Sequence, residues 1–195
     1  MTDQGIKSRP KYQRLALDPS GRHHLLLIDG PALSSEAADA GFDIAACETW
    51  IVIRRSAVPP EPILAEAPGA IRPFRSTAHL FSALQDRLAR ETMGLRIYAA
   101  GTEDFLWDIH GIADQAGMSR QELRFCHVGS KARRIFCVHC RTITAGVKTS
   151  IVACSGCGAS LFVRDHFSRR LAAFMGVQVD AEAPGEVPDA EEIYA

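Results

Sequence analysis

Long apolar runs are missing from this chain. The run at residues 25–28 falls far short of the roughly 18 residues that span a bilayer, and the opening Met-Thr-Asp-Gln-Gly-Ile-Lys has no apolar segment of signal-peptide type. These two absences exclude a membrane helix and lead us to expect a cytoplasmic protein. Neither Gly-x-Gly-x-x-Gly nor Gly-x-x-x-x-Gly-Lys occurs, so the usual glycine-rich phosphate cradles are lacking. No Ser–His–Asp arrangement stands out. Acids are almost absent from residues 124–170, where Arg124, Lys131, Arg133, Arg134, Arg141, Lys148, Arg164, Arg169 and Arg170 are accompanied by Asp165 alone. Bases are absent from residues 177–195, which hold Asp180, Glu182, Glu186, Asp189, Glu191 and Glu192 together with Pro184, Gly185 and Pro188. That stretch reads as an extended acidic tail.

What is present is ordinary globular composition: 195 residues, 47% apolar, 23% charged, formal charge −1. This excludes a collagen-like or wholly disordered chain, and the length suits one main domain and a small appendage. Residues 1–11 are poor in apolar side chains and are expected to be mobile. Residues 12–130 alternate strand and helix signals. Strands are expected at 12–17, 24–29, 48–54, 95–99 and 123–128, the second being a continuous apolar run of the kind buried on both faces. Gly30-Pro31 breaks that run, and Ser34 or Ser35 opens a short Ala-rich helix to about Ala40. Five prolines between Ala57 and Pro73 (59, 60, 62, 68 and 73) call for a loop. Ser76 or Thr77 caps a helix with Leu80, Ala83, Leu84 and Leu88 on one face. Thr102 caps a second, whose first turn holds Glu103 and Asp104. Its stripe is Phe105, Ile109, Ile112, Ala113 and Ala116, and Gly117 ends it. Strand, helix, strand with such short connections makes a parallel sheet, hence an α/β fold.

Chemistry concentrates in four of the six cysteines. Cys137-Val-His-Cys140 and Cys154-Ser-Gly-Cys157-Gly158 are separated by thirteen residues, 141–153. Each Cys-x-x-Cys can wrap a tight turn that aims two sulfurs at one ion, and Zn²⁺ takes four such ligands in a tetrahedron. Residues 141–153, with Gly146, are expected to fold as one hairpin that sets the two turns face to face, a zinc ribbon spanning 131–176. Tetrahedral S₄ also suits iron, as in a rubredoxin-like electron carrier, and one pair alone could be a redox dithiol. Four protein thiolates fill every position, which makes the site structural and closed to substrate. Four thiolates with Zn²⁺ leave a formal −2, which Lys131, Arg133, Arg134 and Arg141 can balance. His139, between two ligands, is expected to point outward. Cys47 and Cys126 lie among apolar residues and read as buried small side chains. Arg54-Arg55-Ser56 follows a strand end where this fold class often meets a phosphate, although solvated charge is the preferred reading. A basic ribbon also admits a nucleic-acid-binding module, to which the acidic tail is a competitor. No catalytic residue is assigned.

Two resemblances sharpen this reading. His24-Leu-Leu-Leu-Ile-Asp-Gly-Pro, Trp50-Ile-Val-Ile-Arg-Arg-Ser, Tyr98-Ala-Ala-Gly101-Thr-Glu-Asp-Phe105, the helix to Gly117 and the strand at 122–125 resemble, in order, the NAD-binding domain of ferredoxin-type reductases. In that family the first turn is glycine-rich. Here it is reduced to Gly30, so the resemblance does not bring NAD(P)H binding with it. Phe136-Cys-Val-His-Cys through Cys154-Ser-Gly-Cys-Gly, then Leu161-Phe-Val-Arg-Asp-His-Phe-Ser-Arg-Arg, Phe174-Met-Gly-Val and Glu191-Glu-Ile-Tyr194, resemble the DmmA-like subunit of bacterial dimethylamine monooxygenase. That resemblance implies a non-catalytic subunit of a hetero-oligomeric enzyme that uses NAD(P)H and O₂ to convert dimethylamine to methylamine and formaldehyde. Haem, flavin and iron–sulfur groups are then expected on partner subunits, and a structural zinc on Cys137, Cys140, Cys154 and Cys157.

Overall fold

The apolar run at 25–28 is uninterrupted because both of its faces are buried. In the computed structural model, which describes residues 8–29, 37–39, 41–53 and 71–194, this run forms β1 (His23–Asp29) at the centre of a parallel sheet. The other strands of the sheet are β2 (Glu48–Val52), β3 (Ile71–Phe74), β4 (Leu95–Gly101) and β5 (Leu123–His127), in the order β3-β2-β1-β4-β5. The pairings are parallel throughout, with Leu27 opposite Trp50 on one side and Ala99 on the other. Helices α1 (Thr77–Leu88) and α2 (Glu103–Gln115) cover one face. There Leu25, Leu27, Trp50, Ile97 and Ala99 pack with Leu80, Leu84, Phe105 and Ile109. On the opposite face Leu26, Ile28, Ile51, Tyr98 and Ala100 pack with Leu15, Ala37, Phe42 and Cys47. Alternate residues of each strand thus feed two cores, and every fully buried Leu or Ile contributes about 1.5–3 kcal/mol.

The helix boundaries follow the capping signals. The Ser76 side chain accepts from the His79 N–H, while Thr102 sits at the N-cap of α2 without a side-chain bond. Gly117, at φ +81°, ends α2 in the left-handed region that favours glycine.

Four expectations need correction. Among the described residues, 12–17 form no ladder strand: Leu15 makes a single parallel bridge to Ala38, and the Gln13 N–H donates to Phe125 O instead. Of the expected Ala-rich helix, 37–39 form a turn and a bridge, while 34–36 and 40 lie outside the described residues. The strand expected at 48–54 ends at Val52. Pro73 lies inside β3 rather than in a loop, which is tolerated because β3 is an edge strand with a side that needs no N–H donor. Gly30 and the Arg54-Arg55-Ser56 segment lie outside the described residues.

The chain divides into two compact units, Tyr12–Gly129 and a second made of Met1–Lys11 with Ser130–Ala195. The second unit is a five-stranded sheet in the order β7-β6-β10-β9-β8. Its strands are β6 (Arg133–Cys137), β7 (Ile143–Val147), β8 (Ile151–Ala153), β9 (Ser160–Ser168) and β10 (Ala173–Gln178). The single hairpin expected over 141–153 does not form. Within that segment β7 pairs antiparallel with β6 and β8 with β9, so the two halves sit on opposite edges of the sheet. Only residues 148–150 join these edges. Three linking residues reach at most ~14 Å, so the sheet must curl until its edges nearly meet.

The two ends of the chain are tied into this curl. The Ser8 N–H bonds the Asp165 carbonyl, which anchors part of the segment expected to be mobile. At the other end Ser150 N–H donates to Glu191 O at 2.8 Å, and the N–H groups of Ile193 and Tyr194 both donate to Lys148 O. The acidic tail is therefore fastened at its far end, across the linker between the two sheet edges.

Candidate metal centre

Two hairpin turns place the four cysteines at one end of the curled sheet. Cys137 closes β6 and Cys140 lies in the β6–β7 turn; Cys154 follows β8 and Cys157 lies in the β8–β9 turn. The turns repeat one another bond for bond. Cys137 N–H donates to Thr142 O at 2.9 Å and Arg141 N–H to Cys137 O at 2.9 Å; Cys154 N–H donates to Ala159 O at 2.9 Å and Gly158 N–H to Cys154 O at 3.0 Å. The residue after each second cysteine is left-handed, Arg141 at φ 65° and Gly158 at φ 75°. That geometry suits glycine at 158 and strains arginine at 141.

The sulfurs converge. Cys137 Sγ lies 3.9 Å from Cys157 Sγ, Cys140 Sγ lies 3.5 Å from Cys154 Sγ, and all four lie within 4.8 Å of one another. Sulfurs held ~2.3 Å from a central ion in a tetrahedron have edges of roughly 3.8 Å, so the arrangement fits a single S₄-bound ion. Hydrogen bonds from the Thr142 side chain and backbone pull the Cys140 thiol down to about 6. Backbone N–H groups of Cys157 and Gly156 lower Cys154 as well, Gly156 N lying 3.4 Å from its sulfur. Cys157 is drawn down by the Ala159 N–H, but burial and three neighbouring sulfurs outweigh this and push it up to about 11. Four thiols in such a cluster cannot all ionise without a cation among them, and a divalent ion supplies it. His139 is exposed and stands outside the cluster. Cys47 and Cys126 are buried; desolvation raises both thiols, Cys47 to about 12.

Arg133, read from sequence as a counter-charge for the thiolates, is engaged elsewhere. It is buried, and its Nη1 donates to Asp165 Oδ1 at 2.9 Å. Its guanidinium is held between the rings of Phe174 and Tyr194, at 3.9 and 3.8 Å from their centroids. Arg9 reaches the other Asp165 oxygen. Burial raises the Asp165 carboxyl, but the two guanidinium partners prevail and hold it below the ordinary carboxylate range. This clamp was not legible in sequence, since its members are scattered over 186 positions from Arg9 to Tyr194. The one available signal was a lone acid in a basic stretch and a tyrosine at the end of an acidic one.

The α/β unit holds the other candidate position. Its strand order reverses between β1 and β4, where α/β sheets of this type bind ligands. There Asp29 is 8% exposed at the end of β1. Gly101 ends β4, where an added Cβ would come within 2.7 Å of Phe105 and 3.0 Å of Asp29 Cβ. Glu103 and Asp104 occupy the first turn of α2. Glu103 accepts from Tyr12 Oη at 2.8 Å, and Trp107 Nε1 donates to the same hydroxyl at 3.0 Å. The turn that follows β1, residues 30–36, lies outside the described residues.

Comparison with known proteins agrees with both units. The model of the dimethylamine monooxygenase subunit DmmA-like N-terminal domain matches residues 4–123, and that of the C-terminal domain matches residues 134–177. The chain belongs to the DmmA-like family. A relative from Ectopseudomonas mendocina (strain ymp), named heme-dependent oxidative N-demethylase delta subunit, is 33% identical over 177 residues, which are 91% of each chain. Among the described residues no helix is long and apolar enough to cross a membrane.

Proposed function

We propose that this chain is a non-catalytic accessory subunit of a multi-subunit, NAD(P)H-dependent monooxygenase that converts dimethylamine to methylamine and formaldehyde. The observation that carries the reading is end-to-end similarity, through both units and 91% of each chain, to a delta subunit of an oxidative N-demethylase. Haem, flavin and iron–sulfur groups belong, in this reading, to the partner subunits. NAD(P)H, too, is bound in this reading by a partner subunit.

Cys137, Cys140, Cys154 and Cys157 would hold Zn²⁺, a closed-shell ion that supplies cohesion and no redox chemistry. Four protein ligands leave no position for amine or oxygen, so the chain's own work is to present a surface of fixed shape. Arg133 works to the same end, locking Tyr194 and the tail onto the sheet. A phosphate-binding role for the basic stretch is disfavoured because Arg133 is buried and paired.

The test is reconstitution of the enzyme from purified subunits with and without this chain. Expected are one zinc per chain by elemental analysis, no visible absorption from the chain alone, and co-migration with haem-bearing partners. Amine-dependent NAD(P)H oxidation should then fall when the chain is omitted. An isolated chain that oxidises amines, or an enzyme fully active and intact without it, would overturn the proposal; visible colour in the isolated chain would replace zinc by iron.

A further inference from the structure

The two cysteine turns share a backbone pattern but differ in their side chains, and they differ where they meet. Thr142 stands two positions after Cys140, as Ala159 stands after Cys157, so only the first turn carries a hydroxyl there. Gly156 precedes Cys157 in the second turn, where the first has His139. β7 and β8 lie on opposite edges of the sheet, so no ladder joins the turns, and side chains do so instead. Thr142 and Thr144 are two residues apart on one extended segment and therefore turn to the same side. The Ser155 N–H donates to Thr144 Oγ1 at 3.1 Å, and the Ser155 hydroxyl lies 3.1 Å from the same oxygen. One residue on, Gly156 sits directly against Thr142. A Cβ on Gly156 would come within 2.8 Å of Thr142 Cβ and closer still to the Thr142 hydroxyl oxygen. The φ of Gly156 is not positive, so backbone strain does not call for glycine here. Lack of room beside Thr142 does.

That room is what the Thr142 side chain uses. Its hydroxyl hydrogen-bonds the Cys140 sulfur, as does its own backbone N–H. Gly156, for its part, donates its N–H to Cys154 Sγ at 3.4 Å. The touching pair therefore ties the second cysteine of one turn to the first cysteine of the other, and those two sulfurs lie 3.5 Å apart. Groups that hydrogen-bond a metal ligand fix its orientation, and losing one commonly costs roughly 10–100-fold in metal affinity. We infer that Thr142 is a positioning residue of the metal centre: its hydroxyl holds Cys140 Sγ on the ion, in space that Gly156 keeps open, and this contact between the turns slows release of the metal. The inference rests on the reading of the four cysteines as a metal site. It gives the centre two unlike edges. Cys140 and Cys154 are fastened to each other's turn, whereas Cys157 is exposed and has Ala159 in place of a hydroxyl.

Two measurements on the full-length chain test it: the rate of zinc transfer to a chromogenic chelator, and the absorption spectrum after loading with Co²⁺. Thr142→Val removes the hydroxyl and nearly keeps the shape. It should speed transfer about tenfold or more and shift the sulfur-to-cobalt charge-transfer bands. Thr142→Ser keeps the hydroxyl and should restore both the wild-type rate and the wild-type bands. Gly156→Ala should speed transfer as well, and the effects of Gly156→Ala and Thr142→Val should fall short of adding, because both break one contact. Ser168→Ala, at a hydroxyl near the opposite end of the sheet, should change neither rate nor spectrum. Should Gly156→Ala not fold, the two Thr142 variants decide alone. A Thr142→Val chain that releases zinc at the wild-type rate with unshifted bands would overturn the positioning role and leave the metal site standing. So would a Thr142→Ser chain that releases zinc as fast as Thr142→Val. A wild-type chain that takes up neither Zn²⁺ nor Co²⁺ would fell the metal reading itself, and the positioning role with it.

Discussion

Strands of the α/β unit are covered on both faces, with Leu27 in one core and Leu26 in the other. The sheet of the C-terminal unit encloses one small core and leaves Ile143 and Phe162 exposed on its outer face. The first unit has enough apolar contact to hold itself. The second is too small for that, and its remaining cohesion is drawn from converging thiols at one end and a stacked guanidinium at the other. The same secondary structure thus rests on non-directional burial in one place and on a few directional groups in the other. Loss of a single member should be absorbed in the first and should propagate in the second.

The largest expected effect is metal loss. Cys137→Ser or Cys154→Ser should abolish stoichiometric zinc and unfold the C-terminal sheet, since apparent binding free energies reach ~10–16 kcal/mol in small zinc modules. Peptide-resolved hydrogen exchange should show the change over 130–178 and little over β1–β5; retention of one zinc in both variants would break the comparison. Next, Arg133→Ala should cost about 3–5 kcal/mol, because it leaves Asp165 without its buried partner and Tyr194 without its stacking surface. The same clamp sets an acid limit. Its arginines hold the Asp165 carboxyl below its unfolded value, so the clamp's contribution is complete above the unfolded carboxylate pKa, ~3.9. It is lost as pH falls through the lower, folded value. Exchange protection of the Ile193 and Tyr194 amides should disappear in that acid range, and in Arg133→Ala it should be absent at neutral pH.

Leu27→Ala, in the α/β core, should cost about 2–5 kcal/mol by chemical denaturation and leave zinc content untouched. The smallest expected effect distinguishes the two cysteine turns. Arg141→Gly should stabilise by about 1 kcal/mol and Gly158→Ala destabilise by a similar amount, since both positions are left-handed. Equal and opposite shifts in midpoint would confirm that the turns are built alike.

Much of the α/β unit could be read directly. Leu25 to Ile28 declared a strand buried on both faces; Ser76, Thr102 and Gly117 marked helix ends. The pairing partners of short segments were harder. Leu15 looked like part of a strand because strand periodicity over six residues is satisfied by a single bridge as well as by a ladder. Pro73 looked like a loop residue because an edge position is invisible before the strand order is known. The cysteine spacing announced a four-sulfur cluster but not the route to it, and one hairpin and two outward-paired ones obey the same thirteen-residue interval.

Local chemistry by itself determined the central strands of the α/β unit, where its two helices start and stop, and that four thiols are grouped in two tight turns, because these depend on neighbours within a few positions. Tertiary structure alone decided that β7 and β8 occupy opposite sheet edges, that Arg133 serves Asp165 and Tyr194 rather than the thiolates, and that Thr142 meets Gly156 across the cluster. Each of those depends on which distant segments pair, and pairing is settled by the closure of the whole sheet rather than by any local stretch of chain.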